Sequence, residues 1–404
     1  MKIKYPLFFI LCNMLVNRSL EQPVKYSGWD TGGKEYLTVT VNHGKIENIA
    51  RGKGPGDTGP KIYMAPGLID TQVNGYARVS FSGQDLTAEG ITRIVNGLIK
   101  EGVTTFFPTL ITAPPEITQN NLKVLSDACH DGFLAHVMPG FFLEGPYISP
   151  EEGYRGVHDK NWIRPPDWNE FETFYNASGQ KIIQVGLAPE TDGALDFISK
   201  ATARGIVISL AHHNADAATI RKAVEAGAKV STHLGNGCAN LIQRHNNPLW
   251  PQLANDGLTA SIIADGHHLT PEELTVFYKV KGPDHLMLVS DITELAGMPP
   301  GEYEWDGKKV VMTPDGALEY PEEHVLAGAS FPIRKGVMNM QLLAGCSLKE
   351  AVDLATLNPA RVYGLKDRGE LEAGKYADLI LFSIEDNEMV IRETVVEGRE
   401  MYKK

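Results

Sequence analysis

The sequence predicts a (β/α)8 TIM barrel that carries a small β-sandwich built from both ends of the chain. Three observations predict it. Short apolar runs alternate with amphipathic helical patterns through the middle of the chain, the signature of a parallel barrel. Both ends instead show strand patterns broken by glycine. No GxxxxGK(S/T) occurs, and the GxGxxG match at Gly54–Gly59 lies in a glycine-rich loop, so the phosphate loop usual in an open doubly wound sheet is missing. The 404 residues suit one large barrel with an accessory domain. We expect residues 65–368 to form the barrel, 23–64 and 369–404 the sandwich, and 1–22 a separate apolar segment.

In chain order, the apolar runs that read as barrel strands are 68–73, 103–107, 137–144, 182–187, 206–212, 229–233, 259–264 and 286–291. Helical periodicity falls between them at 86–101, 117–129, 216–227 and 271–281. Residues 302–320 read as an inserted hairpin around Asp306-Gly307 and Asp315-Gly316, followed by helices at 333–343 and 348–357. In the flanks, 35–41, 45–50, 377–382 and 393–398 read as strands, and 51–60 as a glycine-rich loop.

A net charge of −12 disfavours nucleic acid and anionic membranes as partners, since both need a positive surface field. An anionic small molecule would need a local cluster of cations. Cys12, Cys129, Cys238 and Cys346 form no CxxC pair, so reduced thiols in a cytoplasm are expected rather than a disulfide framework. Lys2 and Lys4 precede an apolar run at 5–16 that reads like the start of a signal peptide. Asn13 interrupts that run, and Asn17-Arg-Ser-Leu-Glu offers no small-x-small cleavage site. The run is too short to span a bilayer, so no stable membrane insertion is expected. A cytoplasmic location fits best, with export left open by this segment.

Ionisable residues fall at the C-terminal ends of the expected strands, where barrel enzymes place their chemistry. Glu144 ends the third, His212 the fifth, His233 the sixth and Asp291 the eighth. One such group alone would read as a satisfied core residue; four at equivalent positions read as a site. Two imidazoles and a carboxylate suit one borderline-soft divalent ion, zinc or iron, with a position left open for water. Asp291 could then move the proton from that water to a leaving group. Strand parity leaves one choice open, because only one of His212 and His213 can face the interior. Ile206, Ile208 and Leu210 share parity with His212, and a bulge or the strand end could reverse the side.

Several motifs then fall in order: Pro66-Gly-Leu-Ile-Asp, Phe142-Leu-Glu-Gly-Pro, Leu187-Ala-Pro-Glu, His212-His-Asn-Ala, Thr232-His-Leu-x-Asn, Ala264-Asp-Gly-x-His, Ser290-Asp and Ala355-Thr-x-Asn-Pro-Ala-Arg. Together they resemble the N-acetylglucosamine-6-phosphate deacetylase family of the amidohydrolase superfamily. The resemblance implies Glu144, His212 and His233 as metal ligands and Asp291 as the catalytic acid/base, choosing His212 over His213. It implies His158 near the acetyl carbonyl and His268 on the sugar or its phosphate. It makes Asn236 and Gly237 a backbone-amide anion site and Arg244 the phosphate arginine, which a neighbouring subunit can supply. Gln72 and Asn74 stand where most amidohydrolases have His-x-His, which implies a single metal and puts both amides in the substrate pocket. A homodimer acting on a small amino sugar is implied as well. The stretches at 235–240 and 244–250, and Glu294 after the catalytic Asp, depart from the family pattern and bear on the sugar and phosphate pockets. Another N-acetyl sugar deacetylase, a D-aminoacylase-like enzyme and a non-catalytic binding barrel are the rival readings.

Overall fold

Residues 23–56, 59–305, 307–321 and 325–404 are described by a computed structural model of the chain. The apolar 5–16 run lies outside them, and the export question with it. Eight parallel strands stand side by side in chain order: Leu68–Val73, Val103–Leu110, Phe141–Glu144, Ile182–Leu187, Val207–Leu210, Val230–Ser231, Thr259–Ile262 and Leu286–Leu288. The ring closes between the eighth and the first. Ile292 bridges Val73, and the Asp291 N–H donates to the Gln72 carbonyl at 3.0 Å.

Helix Ala88–Lys100 shows how the outer layer forms. Thr87 caps it by accepting from the Gly90 N–H, while Ile91, Ile94, Val95, Leu98 and Ile99 line one buried face at three- and four-residue spacing. Each such aliphatic contributes roughly 1.5–3 kcal/mol on burial. Gly102, at φ 83°, ends the helix and delivers the chain to Val103.

Several expected strands are shorter than their apolar runs. The third loses its start because Gly132–Val137 is a helix, capped by the Asp131 carboxylate, which accepts from the Phe133 and Leu134 N–H groups. The fifth, sixth and eighth end before His212, His233 and Asp291, whose φ values of 49°, 30° and 53° no strand contains. The helix expected at 348–357 divides into Leu348–Asp353 and Leu357–Val362. The hairpin expected at 302–320 grows into a four-stranded antiparallel sheet over its own small core of Leu295, Val310, Met312 and Leu318.

The chain ends interleave in a second sheet. Its strands lie in the order Arg399–Lys403, Glu388–Val396, Leu379–Glu385, Tyr63–Pro66, Val24–Trp29, Tyr36–Asn42, Lys45–Gly52. Both layers of the sandwich thus belong to one hydrogen-bonded sheet, folded over Tyr26, Val39, Ile46, Leu379 and Val395. Its N-terminal and C-terminal halves also meet where Lys45 bridges Tyr376 and Tyr26 Oη donates to the Gly398 carbonyl. Among the described residues, no helix is long and apolar enough to cross a membrane.

Candidate active site

Three strand ends converge at the barrel mouth. Glu144 is the last residue of its strand, and His212 and His233 follow Leu210 and Ser231 by two residues each. The left-handed backbone at His212, His233 and Asp291 costs a non-glycine residue about 1–2 kcal/mol. In return it turns each side chain out of the ladder and into the mouth. That settles which histidine faces inward. The strand ends at Leu210, so its alternation never reaches position 212. His212 joins Glu144 and His233, whereas His213 accepts from the Ala215 N–H at 3.2 Å. Burial pushes the His213 pKa down to about 4 against an opposing hydrogen bond with Gln252.

The candidate ligand atoms of Glu144, His212 and His233 all lie within 4.8 Å of one another, and all three residues are buried. His233 Nε2 is 2.9 Å and His212 Nε2 3.5 Å from Glu144 Oε1. His212 Nδ1–H donates to the Tyr154 carbonyl at 2.9 Å, which leaves the lone pair on Nε2, towards Glu144. Gln72 Nε2 donates to both Glu144 oxygens at 3.0 Å. Burial works to raise the Glu144 pKa, but hydrogen bonds with His212 and His233 prevail and hold it well below the usual carboxylate range. Two imidazole nitrogens and a carboxylate oxygen this close, with one imidazole already oriented from behind, fit a borderline-soft divalent ion.

Asp291 stands beside this group. Asn74 Nδ2 donates to its Oδ1 at 2.7 Å; burial and then repulsion from Glu144 push its carboxyl up to about 6. Beneath it lies Asp70, which sequence reasoning passed over although it closes the Pro66-Gly-Leu-Ile-Asp motif. Its fully buried carboxylate accepts from the Ser290 N–H at 3.1 Å, so it ties the first strand to the turn that presents Asp291. His158 packs its ring 4.4 Å from that of His212, and burial pushes its pKa down to about 3.

The remaining expected residues divide. His268 sits within electrostatic reach of Asp291, and its Nδ1 lies 2.8 Å from Asp265 Oδ2. Asp265 Oδ1 also accepts the His267 and His268 N–H groups, each at 2.9 Å. The quoted Ala264-Asp-Gly-x-His motif held that clamp, unread. Asn236 corrects the expected anion site, because its N–H is taken by the His233 carbonyl at 2.8 Å. Its side-chain Nδ2, buried without a partner, is the donor that remains. Gly237, at φ 62°, folds against both histidines. Arg244 stands apart on an exposed loop, where among the described residues only its carbonyl is engaged, by Asn247 and Trp250.

The chain matches the amidohydrolase family over residues 63–401. It is 32% identical over 345 residues to the N-acetylglucosamine-6-phosphate deacetylase of Vibrio furnissii, covering 84% of this chain and 82% of that protein. Against the Thermotoga maritima structure of that name the TM-score is 0.83 at 26% identity, covering 95% of this chain and 100% of the other. A Mycobacterium smegmatis deacetylase mutant solved in complex with N-acetyl-D-glucosamine-6-phosphate gives a TM-score of 0.81 at 26% identity, with coverages of 91% and 95%.

Proposed function

Since the chain belongs to the amidohydrolase family and, within it, to the N-acetylglucosamine-6-phosphate deacetylases, we propose that it hydrolyses N-acetylglucosamine 6-phosphate to acetate and glucosamine 6-phosphate. The buried Glu144–His212–His233 triangle with Asp291 at its side carries the reading. These three residues would hold one divalent ion, zinc or iron. When bound, such an ion lowers the pKa of a coordinated water to about 7 and supplies a nucleophile at neutral pH. Asp291, oriented by Asn74, takes the water's proton and delivers it to the amine nitrogen as the C–N bond breaks. His158 donates to the acetyl oxygen as it gains charge. Gln72 points its N–H groups at Glu144, so it orients that ligand and offers no imidazole lone pair to a second cation.

The sugar phosphate falls to His268, the Asn236 amide, the Gly237 backbone and Arg244. Leu241, 94% exposed, and Trp250, 55% exposed, flank Arg244, which supports a homodimer contact on this loop. A phosphorylated sugar is an intracellular metabolite, which supports a cytoplasmic location. The test is acetate release from N-acetylglucosamine 6-phosphate and from the free sugar. A charge-assisted contact contributes roughly 1.5–3 kcal/mol, so the phosphate should improve kcat/KM by about tenfold or more, and Arg244→Ala should erase most of that. Equal rates on both sugars would sink the phosphate reading.

A further inference from the structure

We infer that Thr112, two residues beyond the second barrel strand, is a positioning residue that fixes His158 as an Nε2–H donor facing the reacting carbonyl. Both residues are buried. His158 Nδ1 lies 2.7 Å from Thr112 Oγ1 and accepts from the Thr112 backbone N–H at 3.4 Å. A main-chain N–H aimed at Nδ1 demands a lone pair there. The neutral ring therefore carries its proton on Nε2, and the hydroxyl serves as a second donor to Nδ1. Among the described residues no hydrogen bond to Nε2 is formed, which leaves it for a substrate.

The surroundings are shaped around this contact. Gly145, at φ 84°, directly follows Glu144, and a Cβ there would lie 2.3 Å from Thr112 Oγ1 and 3.5 Å from His158 Nδ1. On the other side the His212 ring meets His158 at 62°. Arg155 Nη1 donates to the His158 carbonyl at 3.1 Å and steadies the loop. The ring is thus held on two sides, with Thr112 setting its tautomer.

The inference rests on the deacetylase reading, in which the acetyl oxygen gains negative charge as the carbon becomes tetrahedral. A neutral Nε2–H donates to that oxygen and keeps its proton; the other tautomer would present a lone pair and repel it. Two experiments test the assignment. Histidine-selective ¹⁵N NMR on the full chain, with His158 assigned by the signals lost in His158→Gln, should report the Nε2–H tautomer. An Nδ1–H tautomer would overturn it. Thr112→Val should lower kcat roughly tenfold with KM nearly unchanged, and Thr112→Ser should restore most of it. A valine variant as active as wild type overturns the inference, and so does a serine variant as damaged as the valine one. If the wild-type enzyme releases no acetate from N-acetylglucosamine 6-phosphate, the deacetylase reading fails, while the NMR result still decides the tautomer.

Discussion

Asp70 and Asp291 show how two carboxyls of one barrel mouth acquire different tasks from their surroundings. Asp70 is fully buried with Oδ2 unpartnered, and burial pushes its pKa up to about 7. A carboxyl raised in the folded state contributes stability that is complete below its unfolded value near 3.8 and lost as pH rises through about 7. Asp70→Asn keeps the acceptor for the Ser290 N–H and removes the charge. The variant should therefore gain in Tm relative to wild type at pH 8 compared with pH 5; a difference that does not change with pH would count against the buried charge. Asp291 faces the open mouth and is held by Asn74. Asp291→Asn preserves its shape and removes the base. General acid–base groups contribute roughly 10²–10⁴ in rate, so kcat should fall at least a hundredfold with bound metal retained. A variant within tenfold of wild type would falsify that role.

The strand ends explain what was legible along the chain and what was not. Eight apolar runs placed every barrel strand, and Glu144 could be read because its strand continues to the last residue. His212, His233 and Asp291 could be read as positions but not as directions. Alternation reports side only while the backbone stays extended, and all three have left it. Gly237 belongs to the same local design. At φ 62°, a Cβ there would lie 3.0 Å from both His212 Nδ1 and His233 Cε1. Gly205 supplies the control, since at φ 82° its Cβ would meet nothing within 4 Å. Alanine at either site carries the same left-handed strain of about 1 kcal/mol, but only Gly237→Ala presses on the two rings proposed to hold the metal. Metal analysis should show Gly237→Ala depleted and Gly205→Ala close to wild type. Equal metal content in the two variants would show that the close approach does not matter. No periodicity could have revealed this, because the contact joins a loop to two strand ends.

The whole molecule separates chemistry from stability along the barrel axis. At the end opposite the mouth, where the strands begin, a buried polar cluster helps tie the folded sheet from the chain ends to the barrel. Asp378, just before Leu379–Glu385, has Oδ2 2.8 Å from His136 Nε2, while its Oδ1 accepts the Glu397 N–H at 2.8 Å. Its carbonyl accepts the Gly67 N–H at 2.9 Å, immediately before the first barrel strand. Arg368 donates to Thr105 Oγ1 at 2.9 Å and to the His136 carbonyl at 2.7 Å. The sequence showed two β-rich ends and a barrel between them, yet no pattern at Asp378, His136 or Arg368 indicated that they meet, because partners 232 to 242 residues apart leave no local trace. Asp378→Ala would strand the His136 ring nitrogen and the Glu397 N–H in a buried place. Leaving buried hydrogen-bonding groups without a partner costs roughly 1–3 kcal/mol, and conservation of the mouth geometry should keep kcat per bound metal near the wild-type value. The urea midpoint should therefore drop sharply in Asp378→Ala while turnover holds, the reverse of Asp291→Asn. Barrel enzymes keep catalysis on the C-terminal face and stability on the N-terminal face. Should Asp378→Ala lose turnover in proportion to stability, the two faces are coupled, and the separation argued for this barrel is wrong.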